Sequence, residues 1–165
     1  MRKVAVVMGS ASDLSLAKEA LKTLGEFGVP YCARVLSAHR SPEAAGAFAR
    51  GAEAQGYGAI IALAGKAAHL AGVLASQTSL PVIGVPVCSR DLGGMDALLS
   101  TVQMPKGIPV AAVAIDGAVN AALLAIRILA LEDRELAKKL SEYARALAEK
   151  TAEADAALQK EIENV

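Results

Sequence analysis

The chain reads as an α/β protein built on a doubly wound parallel sheet. Two observations predict this. Five short apolar runs alternate along 165 residues with stretches of helical period, and most of those runs end in turns rich in Gly, Ser or Asp. The runs are continuously apolar and rich in Val, Ile and Ala rather than alternating, as expected of parallel strands covered on both faces. Right-handed β-α-β crossovers then connect the strands.

The elements follow in order. Lys3–Met8 (KVAVVM) is the first strand and GSASD the turn after it. Leu14, Ala17, Leu21 and Leu24 form one helical stripe, with Ser10-x-x-Asp13 as a capping-box start and Gly25 and Gly28 as its close. YCARVL (31–36) is strand two. Ser41 is the expected N-cap of the next helix, with Pro42 at its first position and Glu43 in its first turn. Tyr57–Leu63 is strand three, and a small-residue helix follows to about Gln77. PVIGVPV (81–87) precedes a helix near Asp96–Val102, and IPVAAVAI (108–115) precedes one over Gly117–Leu131. From about Glu132 to Val165 the chain is Ala/Glu/Lys/Leu-rich, an amphipathic helix with no strand after it, which either covers its own domain or, as its length suits better, packs on a neighbouring subunit. A single domain over 1–165 is expected, with about 132–165 as its helical extension.

Composition narrows the function. Lys+Arg and Asp+Glu are balanced at 17 each, so no global field favours nucleic acid or an anionic membrane. Three Tyr, two Phe and no Trp offer few stacking platforms for bases. No apolar run reaches the roughly 20 residues needed to span a bilayer. The Met1-Arg2-Lys3 start lacks the apolar length of a signal peptide, which makes the cytoplasm the expected location. Cys32 and Cys88 have no zinc-type spacing and read as two buried apolar thiols.

In an open parallel sheet, ligands bind beyond the carboxyl ends of the strands. GSASD, SAHRSP, AGKAAHLAG and CSRDLGGMD all fall at that edge, and they carry the chain's two histidines. GSASD is either a tight turn with a cap or an anion site formed by Gly9, Ser10 and Ser12 at a positive helix end. Asp13 suits paired sugar hydroxyls rather than phosphate. The spacing matches neither a Walker loop nor a dinucleotide fingerprint. Arg40 is a fixed fork for phosphate or carboxylate, and His39 beside it belongs to the residue type that titrates near neutral pH. The residues alone leave His39 open between a proton-transfer group and an ordinary loop residue. His69 opens a helix within an Ala/Gly-rich loop. Two histidines make a poor metal site, so no metal is expected. Lys66 is either a solvated loop charge or a partner for a carboxylate substrate. Lys106, within QMPKGIPV, belongs either to a rigid connection or to the wall of a neighbouring subunit's site.

VMGSASD, SAHRSPE, AGKAAHLAG, LPVIGVPV, LLSTVQMPKGIPVA and NAALLAIRILA occur in one order along nearly the whole chain. Together they resemble the catalytic-subunit family of phosphoribosylaminoimidazole carboxylase, and in particular its bacterial N5-carboxyaminoimidazole ribonucleotide mutase branch. The resemblance implies a flavodoxin-like three-layer α/β/α sandwich with a five-stranded parallel sheet and a long C-terminal helix. It implies an isomerase of purine biosynthesis that works as a homo-octamer without metal or organic cofactor. Carried over by position, Ser10, Ser12, Asp13 and Ser37 would hold the ribose-phosphate part and Arg40 the phosphate. His39 would be the general acid/base, and Gly65, Lys66, His69 and Leu70 would close on the imidazole and its carboxylate. Lys66 stands where the family usually has a second glycine, and Ala71 where it has proline. A base at position 66 also resembles the branch that carboxylates aminoimidazole ribonucleotide directly. A flavin- or nucleotide-binding module on the same fold is the non-catalytic rival.

Overall fold

The computed structural model describes residues 1–162, so 163–165 of the expected C-terminal helix lie outside the described residues. The chain divides into two compact units, Met1–Leu129 and Ala130–Val165. In the first, five parallel strands lie in the order β2-β1-β3-β4-β5. They are β1 Lys3–Met8, β2 Tyr31–Val35, β3 Tyr57–Gly65, β4 Val82–Val87 and β5 Ala111–Ala112. The helices between them are α1 Leu14–Glu26, α2 Pro42–Ala52, α3 Leu70–Ala75 and α4 Met95–Val102, and α5 Ala118–Ala130 follows β5. A single 3₁₀ turn over Ala11–Asp13 leads into α1.

The central strands are buried because both of their faces are covered. Alternate residues point to opposite faces. Ala5, Val7, Ile60 and Ala62 join Phe48, Ala49 and Ala52 of α2 and Leu70, Ala71 and Leu74 of α3 in one core cluster. Val4, Val6, Ile61 and Leu63 point the other way and are equally buried. Small side chains let the layers approach. A Cβ on Gly84 would run into the Thr101 side chain of α4 and would lie 3.2 Å from Ala71 Cβ.

Strand five is shorter than expected, two residues in place of eight. Gly84 and Pro86 present their backbone to it: Val113 N donates to Gly84 O at 3.1 Å, and Asp116 N to Pro86 O at 2.9 Å. Pro86 has no N–H to return, so the ladder stops there.

Ser41 is the N-cap residue of α2, with Pro42 and Glu43 in its first turn as expected, but the side-chain bonds at the caps differ from the usual pattern. Ser41 Oγ makes no bond into α2; it accepts from Ser37 N at 3.0 Å and lies 3.2 Å from Ser37 O, tightening the turn behind it. Asp13 is the N-cap residue of α1 but makes no side-chain cap bond, so its carboxylate is left for other partners. Ser10 caps the short turn instead, accepting from Ser12 N at 3.3 Å.

The second unit holds α6, Arg134–Ile162, started by Asp133, whose Oδ1 accepts from Leu136 N at 3.0 Å. Among the described residues no helix is long and apolar enough to cross a membrane.

Candidate active site

In a 2-1-3-4-5 sheet the chain reverses direction between β1 and β3, which opens a crevice at their carboxyl ends. A cavity of about 520 Å³ lies there. Its wall contains every residue that the resemblance assigns to catalysis or substrate binding: Ser10, Ser12, Asp13, Ser37, His39, Arg40, Gly65, Lys66, His69 and Leu70. Lys106 is not part of it.

The turn after β1 supplies a hydroxyl-carboxylate cluster. Ser12 Oγ lies 2.9 Å from Ser10 Oγ and 3.1 Å from Asp13 Oδ1. Burial pushes the Asp13 carboxyl above its ordinary 3.8; hydrogen bonds from Ser12 and the Ser10 backbone, and the charge of Arg40, offset part of this. A partly desolvated carboxylate accepts hydrogen bonds readily, which suits a sugar diol.

The turn after β2 carries the cationic side. Arg40 Nη2 donates to Gly9 O at 2.7 Å, and Ser37 Oγ accepts from Arg40 N at 3.1 Å and from Arg40 Nε at 3.4 Å. The guanidinium is therefore braced across two strand ends, and its remaining N–H donors are free to receive an anion.

His39 and His69 meet across the crevice. Nε2 of His39 lies 2.9 Å from Nδ1 of His69, with the rings nearly perpendicular at 82°. A nitrogen-to-nitrogen hydrogen bond holds one proton, so the tautomer of each ring is set by the other. Both rings remain exposed to solvent on the cavity side. Spacing alone gave no sign of this contact, because the residues come from different loops 30 positions apart.

Position 66 explains one departure from the family pattern. Lys66 has φ +57°, in the left-handed region where glycine is at ease and lysine uncommon. Its Nζ reaches Asp91 Oδ2 at 2.7 Å, and Asp91 holds the ammonium above its ordinary value. Ala71 lies in the first turn of α3, where a missing N–H is tolerated, so alanine and proline both fit.

The cavity also uses Val87 at the end of β4 and Cys88 and Ser89 just beyond it; CSRDLGGMD was expected at this edge, but none of the three was expected to touch the substrate. The expectation of two buried thiols fails here. Cys88 is exposed, because β4 ends at the open edge, and Cys32 is only partly buried, on an edge strand. Cys32 Sγ lies 2.7 Å from Tyr57 OH; burial, with Cys32 beside it, pushes that phenol up to about 12. Asp116, at φ +56°, pins Cys88 by accepting from its N–H at 2.8 Å. Among the described residues, no three of His, Cys, Asp or Glu converge where they could hold a metal ion.

The AIR carboxylase family model matches residues 3–150. The chain belongs to that family. Among family members, the N5-carboxyaminoimidazole ribonucleotide mutase of Saccharolobus solfataricus is 58% identical over 143 residues, 87% of this chain and 90% of the relative. The mutase of Aquifex aeolicus is 55% identical over 161 residues, 98% of this chain and 96% of the relative. The crystal structure of Treponema denticola PurE has a TM-score of 0.86 at 34% identity, covering 93% of this chain and 96% of that one. The family fold is therefore the flavodoxin-like one described above, and the family's members are enzymes.

Proposed function

We propose that this chain is an N5-carboxyaminoimidazole ribonucleotide mutase. It converts that substrate to 4-carboxy-5-aminoimidazole ribonucleotide on the route to purine nucleotides. Relatives more than half identical along almost the whole chain carry that name. The observation that supports the chemistry is one cavity with a braced arginine at its rim and a hydrogen-bonded histidine pair.

In this reading Arg40 receives the phosphate, Asp13 receives the ribose hydroxyls with Ser10, Ser12 and Ser37 around the ribose-phosphate part, and the loop of Gly65, Lys66, His69 and Leu70 covers the imidazole. His39 gives a proton to the carbamate nitrogen as the N–C bond breaks and CO2 leaves. CO2 then adds to ring carbon C4, and His39 takes up the C4 proton. One group therefore serves as acid and then as base, as its chemistry near neutral pH allows. His69 fixes the tautomer of His39 and shares its proton.

The working assembly in this reading is a cytoplasmic homo-octamer of one catalytic domain per chain, with the C-terminal helical extension that begins near 132 packing on neighbouring copies. Exposed Leu92, Met95, Leu99 and Val102 around α4, and Leu147, Leu158 and Ile162 on α6, support apolar contact between copies.

The test is two incubations of the purified chain. One contains N5-carboxyaminoimidazole ribonucleotide; the other contains aminoimidazole ribonucleotide with bicarbonate. The mutase converts the first alone. Comparable conversion of the second identifies a direct carboxylase, and conversion of neither leaves a binding module.

A further inference from the structure

Lys66 is a residue kept in a conformation that disfavours it. A non-glycine residue at φ +57° is uncommon, and such outliers persist where the side chain is used. Lys66 lies in the loop that runs from β3 to His69, and its Nζ crosses to Asp91 in the loop that leaves β4. No other hydrogen bond joins these two loops among the described residues.

The far loop is anchored from below and free above. Cys88 N donates to Asp116 Oδ1 at 2.8 Å, and Gly93 N to Ser89 O at 3.1 Å. Gly93 and Gly94 follow at φ +60° and +83°, and a Cβ on Gly94 would lie 2.8 Å from Ile115 and 3.1 Å from Cys88 Cα. Asp91 therefore stands at the tip of a turn whose base is fixed. Both loops wall the cavity, through Lys66 on one side and Cys88 and Ser89 on the other.

We propose that Lys66 and Asp91 are positioning residues: a clamp that holds the two loops together over the cavity and keeps CO2 beside the ring between the two half-reactions. This rests on the mutase reading. In the first half-reaction the N–C bond breaks, its electron pair returns to nitrogen, nitrogen takes a proton, and CO2 is freed. In the second, C4 attacks CO2 and then loses its proton. Between them CO2 is a small neutral molecule with no charge for Arg40 to hold, so retention depends on the walls. Glycine at 66 would suit the backbone and leave Asp91 unpaired. Lysine accepts the backbone cost and joins the walls.

The experiment uses the full chain in a single turnover with ¹³C in the carbamate and unlabelled bicarbonate in the buffer. Label kept in the product measures CO2 that never escaped. Asp91→Ala and Lys66→Gly should each raise the ratio of lost to kept label about two- to fivefold, the range over which an exposed ion pair biases an equilibrium. Added KCl should raise it in the unaltered chain and not in the variants, because salt screens exposed charges. A contact that merely stabilised the fold would change melting temperature and leave label retention alone. Unchanged retention in both variants, with the unaltered chain active, overturns the clamp alone. No turnover by the unaltered chain overturns the mutase reading and the clamp with it.

Discussion

His39 Nε2 and His69 Nδ1 lie 2.9 Å apart, and these are the chain's two histidines. The contact ties the end of β2 to the start of α3 and makes the pair a shared holder of one proton. In the proposed mechanism His39 gives a proton and takes another back, and a neighbour that keeps its tautomer defined serves that role.

His39→Asn is expected to lower kcat about a hundred- to ten-thousand-fold, the usual worth of a positioned acid/base group. Substrate affinity should change little, because Arg40 and the GSASD turn are untouched. Single-turnover chemistry and equilibrium binding measured on the same variant separate the two effects. His69→Asn should give a smaller loss of kcat, since it removes the tautomer control and leaves the acting group. Near-normal turnover in His39→Asn would refute its role.

Arg40→Lys preserves charge and removes geometry. A lysine is a point charge and cannot brace on Gly9 O and Ser37 Oγ while also receiving a phosphate. KM is expected to rise about ten- to a hundredfold, the size of one lost charge-assisted hydrogen bond, with kcat less affected. Steady-state kinetics on the ribonucleotide, against those of the dephosphorylated riboside, check it: the riboside should discriminate poorly between the two proteins.

Asp13 should trade stability for binding. Burial raises its folded-state value above 3.8, so folding takes up protons. The favourable contribution is fully present below the unfolded value near 3.8 and is lost as pH rises through the folded value. At neutral pH the ionised, partly desolvated carboxylate weakens the fold. Asp13→Asn is therefore expected to raise the melting temperature at pH 7, with the gain vanishing below about pH 3.8. The same variant should bind the ribonucleotide less tightly. Melting scans across pH decide the matter; a lower melting temperature for the variant at pH 7 would contradict it.

Gly84 should tolerate nothing larger. An added methyl meets the Thr101 side chain, with Ala71 Cβ and Val110 Cγ1 each at 3.2 Å. Gly84→Ala should lower stability by about 1–3 kcal/mol, the common size of overpacking in a tight core. Combining it with Thr101→Ser, which removes the offending methyl, should recover part of that loss. Denaturant midpoints of the two single variants and the double variant give the coupling directly.

The alternation of apolar runs with helical stripes made the α/β sheet legible, since parallel strands buried on both faces have no polar side to show. The edge on which chemistry sits was legible too. Once strands are placed in order, GSASD, SAHRSP and AGKAAHLAG can fall only at their carboxyl ends. Strand five was misjudged because its length depends on the missing N–H of Pro86 in a different strand. Cys88 was misjudged because burial depends on where β4 stops, which pattern does not reveal.

Identity, order and local conformational preference are properties of the chain itself, and they determined the sheet, its helices and which loops share its carboxyl edge. The partners of individual side chains were decided only by the tertiary structure. His39 against His69, Arg40 against Gly9, and Lys66 against Asp91 each join loops about 25 or more positions apart. Local periodicity carries no information about such a meeting, because the sheet and not the sequence interval sets the distance between its strand ends.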